Sequence, residues 1–197
     1  MRRSILTVLL LLCCAPLSSA WQADEYPKNE LFVGYSYESA EVNSLTPDPG
    51  RAGLHGINLE YTRNISSAVG ITVDFSGHVR RESLATGAGQ VQHDGEQYNL
   101  LGGLQFKARN RSGATPFAHA LFGVGLFRGF KAVLLPSSNT YFFDDAQSFA
   151  MAFGGGLDIR AGRRVTIRAV QADYNPTFFG LGRQDNFRLS FGVVFTK

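Results

Sequence analysis

The stretch Val69-Gly70-Ile71-Thr72-Val73-Asp74-Phe75-Ser76 decides the fold. Its odd-numbered residues are large and apolar, its even-numbered ones small or polar, with an aspartate among them. A period of two belongs to a β-strand, whose successive side chains point to opposite faces. The segment therefore predicts a strand with one greasy face and one face that holds a charge.

The same alternation recurs along the chain. Leu31, Val33, Tyr35 and Tyr37 alternate with Phe32, Gly34, Ser36 and Glu38, and Ile57, Leu59 and Tyr61 with Gly56, Asn58, Glu60 and Thr62. Segments 98–107, 118–126, 149–160 and 186–195 repeat it. Segment 165–174 breaks phase: Val165 and Ile167 are apolar, but so are Val170, Ala172 and Tyr174. One extra residue near Ala169 restores the phase, which is what a β-bulge does. The reading is eight strands and no helix in the body of the chain.

The connections set the topology. Three are short, about four residues at 64–67, about five at 109–113 and about four at 161–164. Four are long: about fifteen residues from Ala40, about seventeen from Arg80, about twenty from Arg128 and about eleven from Asn175. Short and long alternate, so all tight turns fall at one end and all long connections at the other. That is the order of an up-and-down meander closed into a barrel rather than of a Greek-key sandwich.

The polar face then tells inside from outside. A soluble ligand-binding barrel has its greasy face within. Here the less apolar face carries Glu60, Asp74, Lys107, His119, Asp158, Arg160, Arg168 and Arg188. So many charges do not make a dry soluble core, because unpaired buried charge is very costly. They suit the lumen of a narrow membrane barrel, whose apolar face meets lipid and whose closed ladder leaves no backbone edge in hydrocarbon. Strands of about nine to eleven residues are long enough to cross at a tilt. Tyr37, Tyr98, Phe127, Phe149, Tyr174 and Phe187 are expected at the long-connection rim, and Tyr61, Phe106, Phe117 and Phe195 at the tight-turn rim, as two aromatic girdles. The fold expected is all-β: an eight-stranded antiparallel up-and-down transmembrane β-barrel.

Upstream of the barrel, Arg2 and Arg3 precede an apolar run from Ile5 to Leu12, then Ser18, Ser19 and Ala20. This order reads as a secretory signal peptide over 1–20, followed by a short segment 21–29 and the barrel domain 30–197. Cys13 and Cys14 raise a lipoprotein alternative, but Leu11 and Leu12 stand where lipid attachment wants small residues. Cleavage removes both cysteines and both arginines, leaving 17 basic against 16 acidic side chains, a net charge of +1. The mature chain then has no disulfide, and a near-neutral balance gives no reason to expect a nucleic-acid partner.

The chain resembles the small eight-stranded outer-membrane barrels of the type formed by the transmembrane domain of outer membrane protein A. The resemblance is carried by residues 30–37, by Pro116-Phe117-Ala118-His119-Ala120-Leu121-Phe122-Gly123-Val124 and by Gly154-Gly155-Gly156-Leu157-Asp158. The closing Ser190-Phe191-Gly192-Val193-Val194-Phe195-Thr196-Lys197 resembles the carboxy-terminal signal read by the barrel-assembly machinery. Ser190, Gly192 and Phe195 fit that signal, whereas Lys197 stands where a terminal aromatic is usual. The resemblance implies a Gram-negative cell outer membrane, tight turns in the periplasm, long loops outside, and contact with outer-membrane lipid and lipopolysaccharide; the peptidoglycan-binding domain that some relatives carry is not expected after Phe195. It leaves function open, because this architecture hosts structural, adhesive, porin-like and enzymatic members.

Catalytic, cofactor and metal sites are not expected. Ser76 and His78 with Asp74 suggest a hydrolase acting on lipid A, but residues two apart on a strand lie about 7 Å apart, too far for a direct hydrogen bond. His55 and His93 read as solvated. No Cys or His cluster has metal-ligand spacing. Asp144 and Asp145 read as a solvated pair that could touch calcium or lipopolysaccharide-bound cations. Glu60, Asp74, Lys107, Asp158, Arg160, Arg168 and Arg188 are expected to pair into a structural network that fills the lumen. The third long connection, with Phe130, Val133, Leu134, Leu135, Tyr141, Phe142 and Phe143, is apolar enough to fold on the rim or hold an unknown partner. The expected function is a monomeric barrel with a structural or surface-interaction role; the alternatives are a narrow pore for small solutes and a lipid-modifying enzyme.

Overall fold

The computed structural model describes residues 26–41, 51–86, 89–134, 139–142, 146–179 and 182–197. The expected signal peptide and its cysteines, residues 87–88, Leu135, Phe143, Asp144 and Asp145 lie outside the described residues.

Nine strands follow in chain order: β1 (Asn29–Glu41), β2 (Arg51–Asn64), β3 (Val69–Thr86), β4 (Gly89–Lys107), β5 (Ala114–Leu134), β6 (Asn139–Phe142), β7 (Ala146–Arg160), β8 (Val165–Phe179) and β9 (Gly182–Thr196). Eight of them form the barrel. Each pairs antiparallel with its chain neighbour, β4 pairs with β5, and β1 pairs with β9, so the sheet closes on itself. The short β6 pairs only with Lys131–Leu134 of β5 and stands outside the ring. It belongs to the third long connection, where the sequence showed no alternation.

The second and fourth long connections are mostly strand, which corrects the loop lengths expected above for these two. β3 runs on to Thr86 and β4 starts at Gly89, so nearly all of the second connection is a paired hairpin. The fourth is likewise paired down to Phe179 and Gly182. Past the membrane both faces of a hairpin meet water, so the apolar/polar period fades while backbone pairing persists. At the other end the turns are tight. The Ser66 hydroxyl accepts hydrogen bonds from the amides of Ala68 and Val69 at 3.2 and 3.0 Å, and Gly113 takes a φ of +79°, a left-handed conformation that favours glycine.

The bulge sits where the sequence placed it. Against β7, Arg168 pairs with Asp158 and Val170 with Leu157; against β9, Arg168 pairs with Gly192 and Gln171 with Ser190. Ala169 is the surplus residue against β7, and against β9 Ala169 and Val170 together stand opposite the single Phe191. Arg168 and Gln171 both point inward, with Ala169 and Val170 outward between them. Deleting Ala169 therefore leaves Gln171 and Asp173 facing inward, whereas deleting Ala172 turns Asp173 and Asn175 toward lipid. The first variant is expected to assemble in vesicles and the second to fail, read by heat-modifiable gel mobility. Equal behaviour would remove this account of the register.

The faces are inverted relative to a soluble protein. Ile57, Phe191, Leu100 and Val73 are about half exposed on the outer wall, while Asp74, Glu60, Arg168 and Arg188 are 0 to 2% exposed within. The structure turns greasy side chains out and charged ones in, as a lipid-facing barrel requires. The only apolar cluster on the inner wall among the described barrel residues at mid-height is Leu101, Leu121, Ala150 and Ala152. Two girdle assignments are corrected. Phe117 and Phe127 are 6 and 9% exposed and point into the lumen, because they share the inward parity of His119 and Leu121.

The charged interior as candidate functional site

Inward positions keep one parity along each strand, even on β1, β2, β3, β7 and β9, odd on β4 and β5, and switching from even to odd across the bulge of β8, so adjacent strands deliver polar side chains side by side. Arg188 of β9 is the first hub. Its Nη1 and Nη2 donate to Asp74 of β3 at 2.9 and 3.1 Å, and its Nε and Nη2 to Asp173 of β8 at 3.0 and 2.8 Å. All three side chains are fully buried. Because β3 lies three strands from β9 around the ring, this pair spans the lumen. Asn58 donates to Asp74 Oδ2 at 2.5 Å, and His119 Nε2 lies 2.8 Å from Asp173 Oδ1.

Arg168 of β8 is the second hub. Its Nε and Nη2 donate to Asp158 at 2.9 and 3.3 Å, and its Nη1 donates to Glu60 of β2 at 3.0 Å and to Gln171 at 2.6 Å. Its guanidinium lies between the rings of Phe32 and Phe117, 4.4 and 4.2 Å from their centroids. Such stacking favours the planar cation over an ammonium group. Glycines make room for the two rings: a Cβ at Gly34 would collide with Phe32, and one at Gly156 would sit 2.9 Å from Phe117. Below this layer, Lys107 joins Glu30 and reaches Asp158 at 2.9 Å, and Arg109 donates to Glu30 at 2.6 Å.

His119 links the two hubs, with Nδ1 3.8 Å from Glu60 and Nε2 on Asp173. Gln105 donates to Glu60 at 2.9 Å and Gln171 to Asp173 at 2.9 Å. Toward the long-connection end, Gln97 donates to Glu38 at 2.6 Å, again across three strands. Six buried carboxylates, Glu30, Glu38, Glu60, Asp74, Asp158 and Asp173, thus face the buried cations Lys107, Arg168 and Arg188. Amide donors, two histidines and Arg109 at the mouth complete the contacts.

Of the residues singled out from the sequence, Glu60, Asp74, Lys107, Asp158, Arg168 and Arg188 meet in this interior. Arg160 does not: it is exposed at the end of β7, beside the turn, where the strand has already left the lumen. Glu30, Glu38 and Asp173 also belong to the network. All three have inward parity; Asp173 is masked by the bulge, and Glu30 sits at a strand start, where alternation is hardest to phase. Ser190 is buried and donates to Ser36 at 3.0 Å, Gly192 lies against Phe32, and Phe195 is half exposed on the outer wall.

Ser76 and His78 do not pair. Ser76 accepts a long contact from Asn99 at 3.4 Å, and His78 Nε2 instead meets the Ser36 hydroxyl at 2.8 Å, with Nδ1 3.4 Å from Glu38. Ser36, His78 and Glu38 are each 0% exposed, so the serine–imidazole–carboxylate row has no open face. Among the described residues no group of three His, Cys, Asp or Glu is arranged to hold a metal. His93 lies in β4, and His55 faces outward, its Nδ1 2.5 Å from the Tyr35 hydroxyl.

The outer wall ends in a polar rim on the long-connection side. Arg51 stacks over Phe187 at 5.1 Å and donates to Ser39 at 2.9 Å. Asp185 accepts from Tyr174 at 2.5 Å and from Arg183 at 3.0 Å. These two donors hold the Asp185 carboxyl below its ordinary range.

Solved structures share this architecture. The attachment invasion locus protein Ail of Yersinia pestis superposes with a TM-score of 0.57 at 17% identity, over 87% of this chain and 100% of that one. Neisserial surface protein A superposes with a TM-score of 0.57 at 12% identity, over 88% of this chain and 100% of that one. No family model and no curated protein matches the sequence. At such identities the likeness is one of fold: the chain has the fold of the small eight-stranded outer-membrane barrels.

Proposed function

We propose that the protein is a monomeric integral outer-membrane barrel whose interior is a hydrogen-bonded plug and whose role is structural or surface-interactive, without catalysis. The reading rests on the charge network. Arg188 to Asp74, Arg168 to Glu60, Lys107 to Glu30 and Gln97 to Glu38 each bridge strands three apart around an eight-stranded ring. An eight-stranded lumen is only wide enough for side chains, so these four bridges occupy its cross-section.

The enclosed Ser36–His78–Glu38 row serves the plug in this reading, since a lipid substrate has no path to a hydroxyl sealed on all sides. The outer rim with Arg51, Tyr37 and Tyr174 supplies the contact with lipopolysaccharide, and Ser190, Gly192 and Phe195 are the residues offered to the assembly machinery. Single-channel recording in planar bilayers tests the plug. The expected trace is flat; a stable large conductance from correctly folded protein would replace this reading with a solute pore.

A further inference from the structure

The two ends of the barrel differ in charge. At the long-connection end, exposed or half-exposed acids and bases mix: Glu41, Glu96 and Asp185 stand among Arg51 and Arg183. At the tight-turn end every connection carries cations. Arg63 stands at the β2–β3 turn, Arg111 in the β4–β5 turn, and Arg160, Arg163 and Arg164 at the β7–β8 turn, all exposed. Lys28 and Lys197 do the same where the chain enters β1 and leaves β9. The acidic side chains described at this end, Glu30 and Asp158, are buried and occupied by Lys107, Arg109 and Arg168. No exposed acidic side chain is present at this end among the described residues.

The position of these cations identifies the kind of partner. They circle the perimeter, because the three turns and the two termini are spaced around the ring. They also border the greasy wall: Tyr61, Phe106, Ile159 and Phe195, each 43 to 50% exposed, lie on the outer face just before or beside them. Arg63 is held by the neutral Asn29, whose Oδ1 takes its Nη1 at 2.7 Å and the Tyr61 hydroxyl at 2.9 Å, so its charge is not cancelled by an acid there. Cations just beyond an aromatic edge occupy the headgroup layer. A soluble partner docking on the barrel axis could not touch all of them; a surrounding leaflet touches every one.

We propose that the tight-turn rim is a binding collar for anionic phospholipid headgroups, which it selects from the leaflet that surrounds it. This rests on the reading of the chain as a membrane-embedded barrel. A basic side chain at a negative lipid surface is worth about a fivefold preference before screening.

The test uses the refolded protein in phosphatidylcholine vesicles carrying a trace of spin-labelled phosphatidylglycerol or spin-labelled phosphatidylcholine. The motionally restricted fraction of each label gives the selectivity of the boundary shell. The wild type is expected to prefer phosphatidylglycerol by about threefold or more at low salt. R63Q/R160Q/R163Q/R164Q is expected to bring the ratio near one, and R183Q at the opposite rim, where the guanidinium is already paired with Asp185, to leave it unchanged. No preference in the wild type, or full preference in the fourfold variant, overturns the collar. Should that variant fail to assemble, salt decides: a preference that persists at about 0.5 M, where screening acts within a few ångströms, also overturns it. Binding of soluble cell-wall muropeptides that the fourfold variant loses, without lipid selectivity, would assign the rim to a wall polymer instead. Absence of any restricted lipid and of heat-modifiable mobility is a different failure, that of the membrane reading itself.

Discussion

Substituting Arg188 by methionine is expected to cost about 3–5 kcal/mol of barrel stability, measured by urea unfolding in lipid vesicles. The guanidinium supplies four hydrogen bonds to two carboxylates, Asp74 and Asp173, neither of which has any exposed surface. Removing it leaves two buried negative charges facing each other, with Asn58, Gln171 and His119 as their remaining neighbours. Most of the loss is the penalty of that stranded charge rather than the intrinsic worth of the pair. The triple variant R188M/D74N/D173N is therefore expected to recover more than half of it, because no net charge is then left without a partner. Identical losses in the single and triple variants would show that Arg188 acts by packing and not by compensating charge.

This pair also measures how far the sequence could be read. Asp74 stands in a clean period-two segment, so its inward direction is legible from its neighbours alone. Asp173 lies beyond the bulge at Ala169, and only after the phase is corrected does it fall on the same side as Arg188. Parity gives direction but not height. Nothing in the sequence says that Arg188 reaches β3 while Arg168 reaches β2, because that follows from the stagger with which the ring closes. The stacking of Arg168 between Phe32 and Phe117 was hidden for another reason. An aromatic on the inward face of a charged lumen looks like an exception to the pattern until the cation it stacks on is known. Arg160 failed at the strand end, where inward parity no longer means enclosure. The long connections hid their paired backbone because backbone hydrogen bonding leaves no trace in side-chain type once both faces are wet.

Replacing Val73 by arginine separates a lipid-facing wall from a solvated one. Val73 is 48% exposed, points outward from the middle of the greasy part of β3, and lies opposite Tyr61 and Gly102 on the flanking strands. In a bilayer its guanidinium sits near the midplane, at a cost of about 2–4 kcal/mol. Val79, on the same face of β3 and 42% exposed, pairs with His55 at the level where Tyr35 and Tyr37 gather. There the same substitution reaches the headgroups and costs about 0–1 kcal/mol. The unfolding free energies of V73R and V79R in vesicles are thus expected to differ by roughly 2–3 kcal/mol although both change an exposed valine to the same residue. A barrel whose outer wall faced water would tolerate both alike, since water has no depth for a charge to sense. Equal costs would therefore turn this molecule inside out: the buried carboxylates and guanidinium groups would remain, but the reason for enclosing them would be gone.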